Sequence, residues 1–324
     1  MKKTVKELAN ETTTSTSGIS DVQGKRWLKS ILKAAEENMY FKQFAYETEA
    51  GPGIKDLAVP IATSNKTFTA STTEATARTM TEVDNITAVV FTPTPQKYGA
   101  TISAEVIRTS QVDTVAFARE QMALSMADKI DGACATAIAS ATTGSIAANI
   151  YGGDATTPGT LETGDIFELT MVSEAKRALG LNNWRPTAGQ PLVLFISPYE
   201  EKIMMDSSQF TNASEYGSNE VVMNGEIGKY LGFKVVVTNN LPSYAAGEVD
   251  VAITDTLTGE WNAAGHTCFV IKAKVSYGLV WGLKPKLDWE YDKDLAAYKI
   301  YLDTAYDSDT LQDGSIVDIR VTNA

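Results

Sequence analysis

A long, alanine-rich amphipathic helix sets the size of the molecule. Ser110 and Asp113 form a capping-box-like start, and Gly144 lies beyond the predicted end. Asp113, Glu120 and Asp131 fall on the side opposite to the apolar residues, which recur at steps of three and four. These apolar positions are Val115, Ala118, Met122, Met126, Ile130, Ala133 and Ala137. Roughly thirty residues would span about 45 Å, so we predict a helix that forms the spine of the molecule.

Two segments that precede this helix carry apolar residues without a core of their own. "GKRWLKSILKAAEENMYFKQFAY", from residue 24, places Trp27, Leu28 and Ile31 on one face of a short helix. Residues 51–103 hold strand-type stretches, "DLAVPIATS" and "ITAVVFTPTPQKYGATISAEVI", on either side of a polar, threonine-rich run. We therefore predict an N-terminal arm and a long β-hairpin or loop, both of which need a partner surface.

The chain after the long helix alternates between helices and strands. Asp165 and Glu168 open a predicted helix that includes Ile166 and ends at Gly180. "PLVLFISP" indicates a buried strand, "YEEKIMMDSSQF" a short helix, and "GKYLGFKVVVTNNLP" (residues 228–242) another strand. This alternation predicts an α/β unit of about a hundred residues, followed by further strands at the end of the chain.

Charge and composition exclude several classes of protein. The net charge of −12 argues against a dedicated nucleic-acid binder, which normally has a basic excess. Cys134 and Cys268 supply neither a disulfide framework nor paired metal ligands. The start of the chain lacks the apolar core of a signal peptide, and no apolar run reaches the roughly 18 residues of a membrane span. We expect a soluble, cytosolic protein that has no membrane partner.

Glycine spacing in the stretch around residue 228 invites a comparison with phosphate-binding loops. Gly225, Gly228 and Gly232 match neither G-x-G-x-x-G nor the P-loop pattern. A strand follows Gly232, at the position where a phosphate-binding helix would begin. We therefore interpret these glycines as turn formers that allow a positive φ.

Two further groups of residues are candidates for chemistry. His266, the only histidine, lies two positions before Cys268 in a predicted strand, so both side chains can face one side. A Cys–His nucleophile also needs an orienting third group and a pocket, and nothing nearby in the sequence indicates either. Asp288, Glu290 and Asp292 alternate along "KLDWEYDKD" and could bind a cation or flank a glycosidic bond, although a solvated acidic face is the simpler interpretation.

Several stretches together resemble the major capsid proteins of tailed bacteriophages, which have the HK97-type capsid fold. "QKYGATISAEVIRTS" at 96–110 resembles the family pattern ahead of the spine helix, and the matching residues are Lys97, Gly99, Ser103, Glu105 and Arg108. "VPI" at 59–61 resembles the rising strand of the extended loop, and "PLVLFISPYEEKIMM" the central strand and helix of the axial domain. The 228–242 stretch resembles the family's G-x-L-x-G-x-P-V segment, with Lys234 where proline is common. The resemblance covers about residues 25–322 in order.

This resemblance implies an α+β fold divided as in the capsid proteins. The arm would comprise residues 1–50 and the extended β-loop residues 51–103. The peripheral domain with the spine helix would comprise 104–160 and 262–324, and the axial α/β domain 161–261.

The resemblance also implies a structural subunit that self-assembles into hexamers and pentamers of an icosahedral head around double-stranded DNA. Arm and loop would contact neighbouring subunits, and scaffolding, portal and decoration proteins are further expected partners. DNA contact would be weak and non-specific, with an exception near the basic residues Lys2, Lys3, Lys6, Lys25 and Arg26. The expected location is the virion, after assembly in the host cytoplasm. We predict no catalytic, cofactor-binding or metal site, and no cofactor.

Two alternatives to a phage head stay open from the sequence. An encapsulin-like compartment that encloses protein cargo resembles phage capsids, and a cytosolic α/β hydrolase would use the carboxylates at 288–292.

Relatives that crosslink a loop lysine to an asparagine suggest Lys66 as a crosslinking residue, but no motif identifies its partner. Only about fifty residues precede the loop, so a scaffold would be a separate protein or would already be missing from this chain.

Overall fold

A computed structural model describes residues 40–51, 54–62, 82, 84–110, 113–141, 145–207, 228–249 and 260–323. The α-helices are α1 (Phe41–Phe44), α2 (Ala104–Thr109), α3 (Thr114–Ala139), α4 (Leu169–Leu181) and α5 (Pro198–Asp206). The strands are β1 (Tyr46–Glu49), β2 (Leu57–Ala62), β3 (Ile86–Phe91), β4 (Thr94–Ser103), β5 (Ala148–Tyr151), β6 (Leu192–Ile196), β7 (Lys229–Tyr230), β8 (Phe233–Val237), β9 (Ser243–Tyr244), β10 (Gly265–Lys272), β11 (Tyr277–Asp292), β12 (Ala297–Thr310) and β13 (Ile316–Thr322).

The predicted spine helix is α3, which packs on a four-stranded sheet of order β1–β11–β12–β4. Its 26 residues span about 39 Å. Met122 is buried with Ile300 and Leu302 of β12, and residues of β4 complete this cluster. The alternation of apolar and polar residues in β4 and β12 therefore presents one sheet face to the helix.

A seven-stranded sheet holds the main core. Its order is β5–β13–β10–β6–β8–β7, with β9 paired to β10. Every residue of β6, β10 and β13 is buried, as expected for strands that are covered on both faces. The prediction of a buried strand at "PLVLFISP" and of a helix after it is confirmed.

The glycine-containing stretch at 228–242 forms a tight hairpin between β7 and β8. Leu231 and Gly232 occupy its two central positions with φ values of 48° and 89°. Positive φ at both positions is what a type I′ turn requires, and glycine adopts this conformation without steric cost. The interpretation of Gly232 as a turn former is confirmed, whereas it is wrong for Gly228, which has no positive φ.

Three local predictions about the helices are wrong. Asp131 is fully buried, although it was expected on the polar side of α3. Asp113 alone caps α3, with its side chain accepting from the Ala116 N–H at 2.9 Å, because Ser110 instead ends α2. Ile166 lies outside α4, which begins at Leu169.

Sheet pairing crosses the predicted domain limits. The seven-stranded sheet takes β5, β10 and β13 from the segments assigned to the peripheral domain. Residues 40–50, assigned to the arm, contribute α1 to the core and β1 to the four-stranded sheet. The division into arm, loop, peripheral and axial domains stays a prediction. The arm helix around Trp27, the loop tip with Lys66, and Gly225 lie outside the described residues.

Candidate functional site

Strands β2 and β3 form a separate two-stranded ribbon with two unlike faces. Leu57, Val59 and Ile61 lie opposite Phe91, Val89 and Thr87, and all residues of this inner face except Thr87 are at least partly buried. The outer face is exposed and consists entirely of apolar residues, which pair as Ala58 with Val90, Pro60 with Ala88, and Ala62 with Ile86. Pro60 fits here because an edge strand has no ladder hydrogen bond to lose on its open side.

Both ends of the described ribbon are fixed to the rest of the molecule. Phe91 is fully buried against Ala50, Val280 and Leu311. The Gln312 side-chain amide donates to the Ala62 carbonyl at 2.9 Å. These contacts hold the ribbon in one orientation while its outer face stays uncovered.

An apolar outer face is the feature of the ribbon that points to a function. Val90 is 56% exposed and Ile86 is 63% exposed. A two-stranded ribbon is marginally stable in water by itself, and exposed contiguous apolar surface marks an interaction site. The predicted loop strands are thus present, and their exposed face can bind another protein surface.

The three alternating carboxylates lie on β11, on one face of that strand as predicted. Each has a partner: Lys286 pairs with Asp288 at 2.7 Å, Lys299 with Asp292 at 2.6 Å, and the Tyr301 hydroxyl donates to Glu290 at 2.7 Å. Lys299 and the backbone N–H of Leu295 lower the pKa of Asp292. Two of these carboxylates are therefore ion-paired and the third is hydrogen-bonded on the strand surface.

His266 and Cys268 do face one side of β10, and the structure brings a third group to them. Glu200 at the start of α5, 66 residues from His266 in the chain, places Oε1 2.8 Å from His266 Nε2. Donor atoms of the three side chains lie within 4.8 Å of one another. Nothing near His266 in the sequence indicates this group, because it is strand pairing that brings the end of β6 beside β10.

The environment of this cluster is that of a buried ion pair. Burial alone would lower the pKa of His266, but the hydrogen bond and charge of Glu200 raise it overall. Burial alone would raise the pKa of Glu200, but His266 and Ser197 lower it overall. Burial, together with the charge of Glu200, raises the pKa of the Cys268 thiol well above its usual value. A protonated, fully buried thiol is a poor nucleophile.

The donor set of glutamate, histidine and cysteine is one that a transition metal can use. Glu200, however, already accepts hydrogen bonds from the Ser197 backbone and hydroxyl in a capping box. Its two oxygens therefore cap α5 and bind His266.

Among the described helices, none has the length and apolar composition needed to cross a membrane.

Comparison with known proteins places these features in a family. A family model described as "Phage capsid protein" matches residues 88–306, more than half of the 324-residue chain. No curated protein matches the chain by sequence.

Solved structures of phage capsids share the fold. The capsid protein of cyanophage P-SCSP1u is 16% identical, with 96% of this chain and 97% of that chain covered and a TM-score of 0.72. The capsid of Ralstonia phage GP4 is 11% identical, with 96% and 99% covered and a TM-score of 0.67. A protein of Mycobacterium phage Che8 is 13% identical, with 91% and 96% covered and a TM-score of 0.63.

Proposed function

This chain belongs to the phage capsid protein family, so it is a structural protein of a phage head, and we propose that it is the major subunit of a closed icosahedral shell around double-stranded DNA. The predicted α+β capsid fold is confirmed. The exposed apolar face of the β2–β3 ribbon carries the proposal, since it is a contact surface without a partner within the described part of the subunit.

In the proposed shell, hexamers and pentamers form when each ribbon lies on a neighbouring subunit. Burial of apolar surface contributes about 25 cal/mol per Å², so a few hundred Å² per contact would be worth several kcal/mol before the cost of ordering. A closed ring repeats the same contact at every subunit. The shell then needs no covalent links between subunits.

The remaining partners follow from the same proposal. Scaffolding, portal and decoration proteins would bind the shell during or after assembly in the host cytoplasm, and the virion is the final location. The net charge of −12 supports only weak, non-specific contact with packaged DNA. We propose that the boundary between the peripheral and axial domains follows the two large sheets. Strands β5, β10 and β13 then belong to the axial domain, because they are part of the seven-stranded sheet.

A non-catalytic role is part of the proposal. The Cys268 thiol is buried and protonated, and the carboxylates at 288–292 are paired on an exposed strand. The hydrolase alternative would require those carboxylates to line a substrate cavity. The cargo-compartment alternative shares the fold, so the neighbouring genes distinguish it from a phage head. Adjacent portal and terminase genes support a phage, whereas an adjacent peroxidase or ferritin-like gene supports a compartment.

The test changes the ribbon face without changing the core. Val90→Asp places a charge on the exposed outer face, so the subunit should fold but fail to form closed shells in negative-stain images. Val90→Thr keeps the shape and β-branching of the side chain and should assemble normally. Circular dichroism checks that both variants fold. Closed shells from Val90→Asp, or a stable monomeric wild type with metal-dependent hydrolase activity, would overturn the proposal.

A further inference from the structure

Three side chains that can bind a metal ion meet inside the seven-stranded sheet, where the end of β6 lies beside β10. Glu200 is 1% exposed, His266 5% and Cys268 0%. Their donor atoms all lie within 4.8 Å of one another. A tetrahedral zinc ion, with bonds of about 2.0–2.3 Å, holds its ligand atoms about 3.3–3.6 Å apart. Side-chain movements of about 1 Å would therefore let the three groups share one ion.

The hydrogen bonds of His266 determine which ring nitrogen faces the other two groups. Nδ1 lies 2.9 Å from Asn323 Oδ1, an oxygen that can only accept, so Nδ1 carries a proton. Nε2 lies 2.8 Å from Glu200 Oε1. A metal-binding histidine usually donates one ring N–H to an oxygen and binds the ion through its other nitrogen. Nε2 is thus in the position of a ligand atom, and Asn323 holds the ring in place.

The two oxygens of Glu200 have separate roles. Oε2 accepts hydrogen bonds from the Ser197 backbone N–H at 2.8 Å and from the Ser197 hydroxyl at 2.5 Å, so this oxygen caps α5. Oε1 faces His266. Carboxylates that bind metals are themselves held by such hydrogen bonds. A metal ion at Oε1 would therefore leave the cap of α5 intact.

Cys268 supplies a third donor from β10. It lies two positions after His266 on the same strand, so both side chains are on one face of the sheet. Burial and the charge of Glu200 raise the pKa of its thiol, which is protonated in the absence of a metal. A divalent cation reverses the sign of the local charge, and a thiol that binds it loses its proton. Thiolate and imidazole ligands favour zinc over magnesium or calcium, which prefer oxygen.

Zinc binding would leave this buried cluster electrically neutral. Without a metal, both ring nitrogens of His266 face acceptor oxygens, so the imidazolium balances the Glu200 carboxylate, and the Cys268 thiol is uncharged. With zinc, His266 loses the Nε2 proton and Cys268 the thiol proton, so the two positive charges of the ion balance the carboxylate and the thiolate. Two protons leave for each ion bound. A buried net charge is strongly unfavourable, and neither form of the cluster has one.

The simpler interpretation is a buried ion pair beneath a helix cap. That interpretation needs Glu200 and His266 but gives no role to the Cys268 sulfur. A zinc site needs all three side chains. Loss of the thiol therefore distinguishes the two interpretations.

We propose that Glu200 Oε1, His266 Nε2 and Cys268 Sγ bind one zinc ion, with a water molecule as the fourth ligand. The ion would join the start of α5 to β10 and, through Asn323, to the end of β13. Because the donors are buried, zinc would enter while the chain folds. Its role would be structural, and the site does not depend on the proposed shell.

The zinc content of the full-length, untagged chain tests the site. The protein is expressed with added zinc, dialysed against a chelator that removes metal from exposed side chains, and analysed by atomic emission. Cys268→Ala removes a proposed ligand. The matched control is Cys134→Ala, which removes the other fully buried thiol. Wild type and the control should retain one zinc ion per chain, and Cys268→Ala should lose it.

Cobalt in place of zinc gives a second measurement, which holds even if Cys268→Ala does not fold. The chain has one histidine and two cysteines, so a thiolate-to-cobalt absorption band can come only from Cys134 or Cys268. Wild type and Cys134→Ala should both show this band. Its loss in Cys134→Ala would overturn the proposal. Wild type without bound metal, or equal zinc in Cys268→Ala and wild type, would also overturn it and leave the cluster as an ion pair.

Discussion

Among single residues, Asp131 connects three parts of the molecule through one buried carboxylate. It accepts a hydrogen bond from the Lys42 backbone N–H at 3.2 Å and one from the Asn240 side chain at 3.3 Å. Asp131→Ala should lower the free energy of unfolding by about 1–3 kcal/mol, because it leaves two part-buried donors without this acceptor. Asp131→Asn keeps an acceptor oxygen and should cost less. Urea denaturation measures both, and an alanine variant as stable as wild type would contradict this role.

The Glu200–His266 pair should make stability depend on pH at both ends. The folded state raises the pKa of His266 above 6.5, so its contribution is complete below pH 6.5 and is lost as pH rises through the folded value. The folded state lowers the pKa of Glu200 below 4.5, so its contribution is present above pH 4.5 and is lost as pH falls through the folded value. Stability should be greatest between these limits.

His266→Gln removes the titrating ring from this pair. The variant should be less stable near neutral pH, since a buried carboxylate loses its charged partner, and its stability should no longer fall between pH 6.5 and the folded pKa of His266. Thermal unfolding at a series of pH values gives the comparison. The same alkaline loss of stability in wild type and variant would show that other groups cause it.

At the scale of secondary-structure elements, the buried face of α3 holds the four-stranded sheet. Met122→Asp places an uncompensated carboxylate against Ile300 and Leu302 and should cost several kcal/mol, enough to prevent folding. Gln121→Asp, at the neighbouring exposed position, should change stability by less than about 0.5 kcal/mol. Soluble yield and thermal unfolding report the difference. Assembled particles from the Met122 variant would place the buried face elsewhere.

The spacing of apolar residues predicts where helices and strands lie better than it predicts which distant residues contact them. The extent of α3 and the burial of β6 follow from local spacing and from a continuous apolar run, which are properties of neighbouring residues. Burial of Asp131 depends on backbone donors 89 residues away, and the Glu200–His266 pair depends on strand pairing across 66 residues. The spacing of neighbouring residues cannot predict contacts between residues so far apart in the chain. The exposed outer face of the ribbon likewise needed the register of β2 against β3.

In the whole molecule, the short helix α1, which lies within the predicted arm, belongs to the core. Phe41 stacks on Phe195 with ring centroids 4.3 Å apart, and Phe44 packs against the same ring. Deletion of residues 1–39 should leave a folded subunit that forms no closed shells, whereas deletion of 1–45 should also open the core. Circular dichroism and negative-stain images separate these outcomes. Normal shells after removal of 1–39 would show that assembly does not need this segment.

The central claim is that the apolar face of the β2–β3 ribbon binds a neighbouring subunit in a closed shell. Cryo-electron microscopy of particles assembled from the purified chain tests it most directly. The predicted map shows an icosahedral shell in which Ile86, Ala88 and Val90 of each subunit are covered by a neighbour. A map in which these residues face solvent, or a preparation that stays monomeric at high concentration, would contradict the claim.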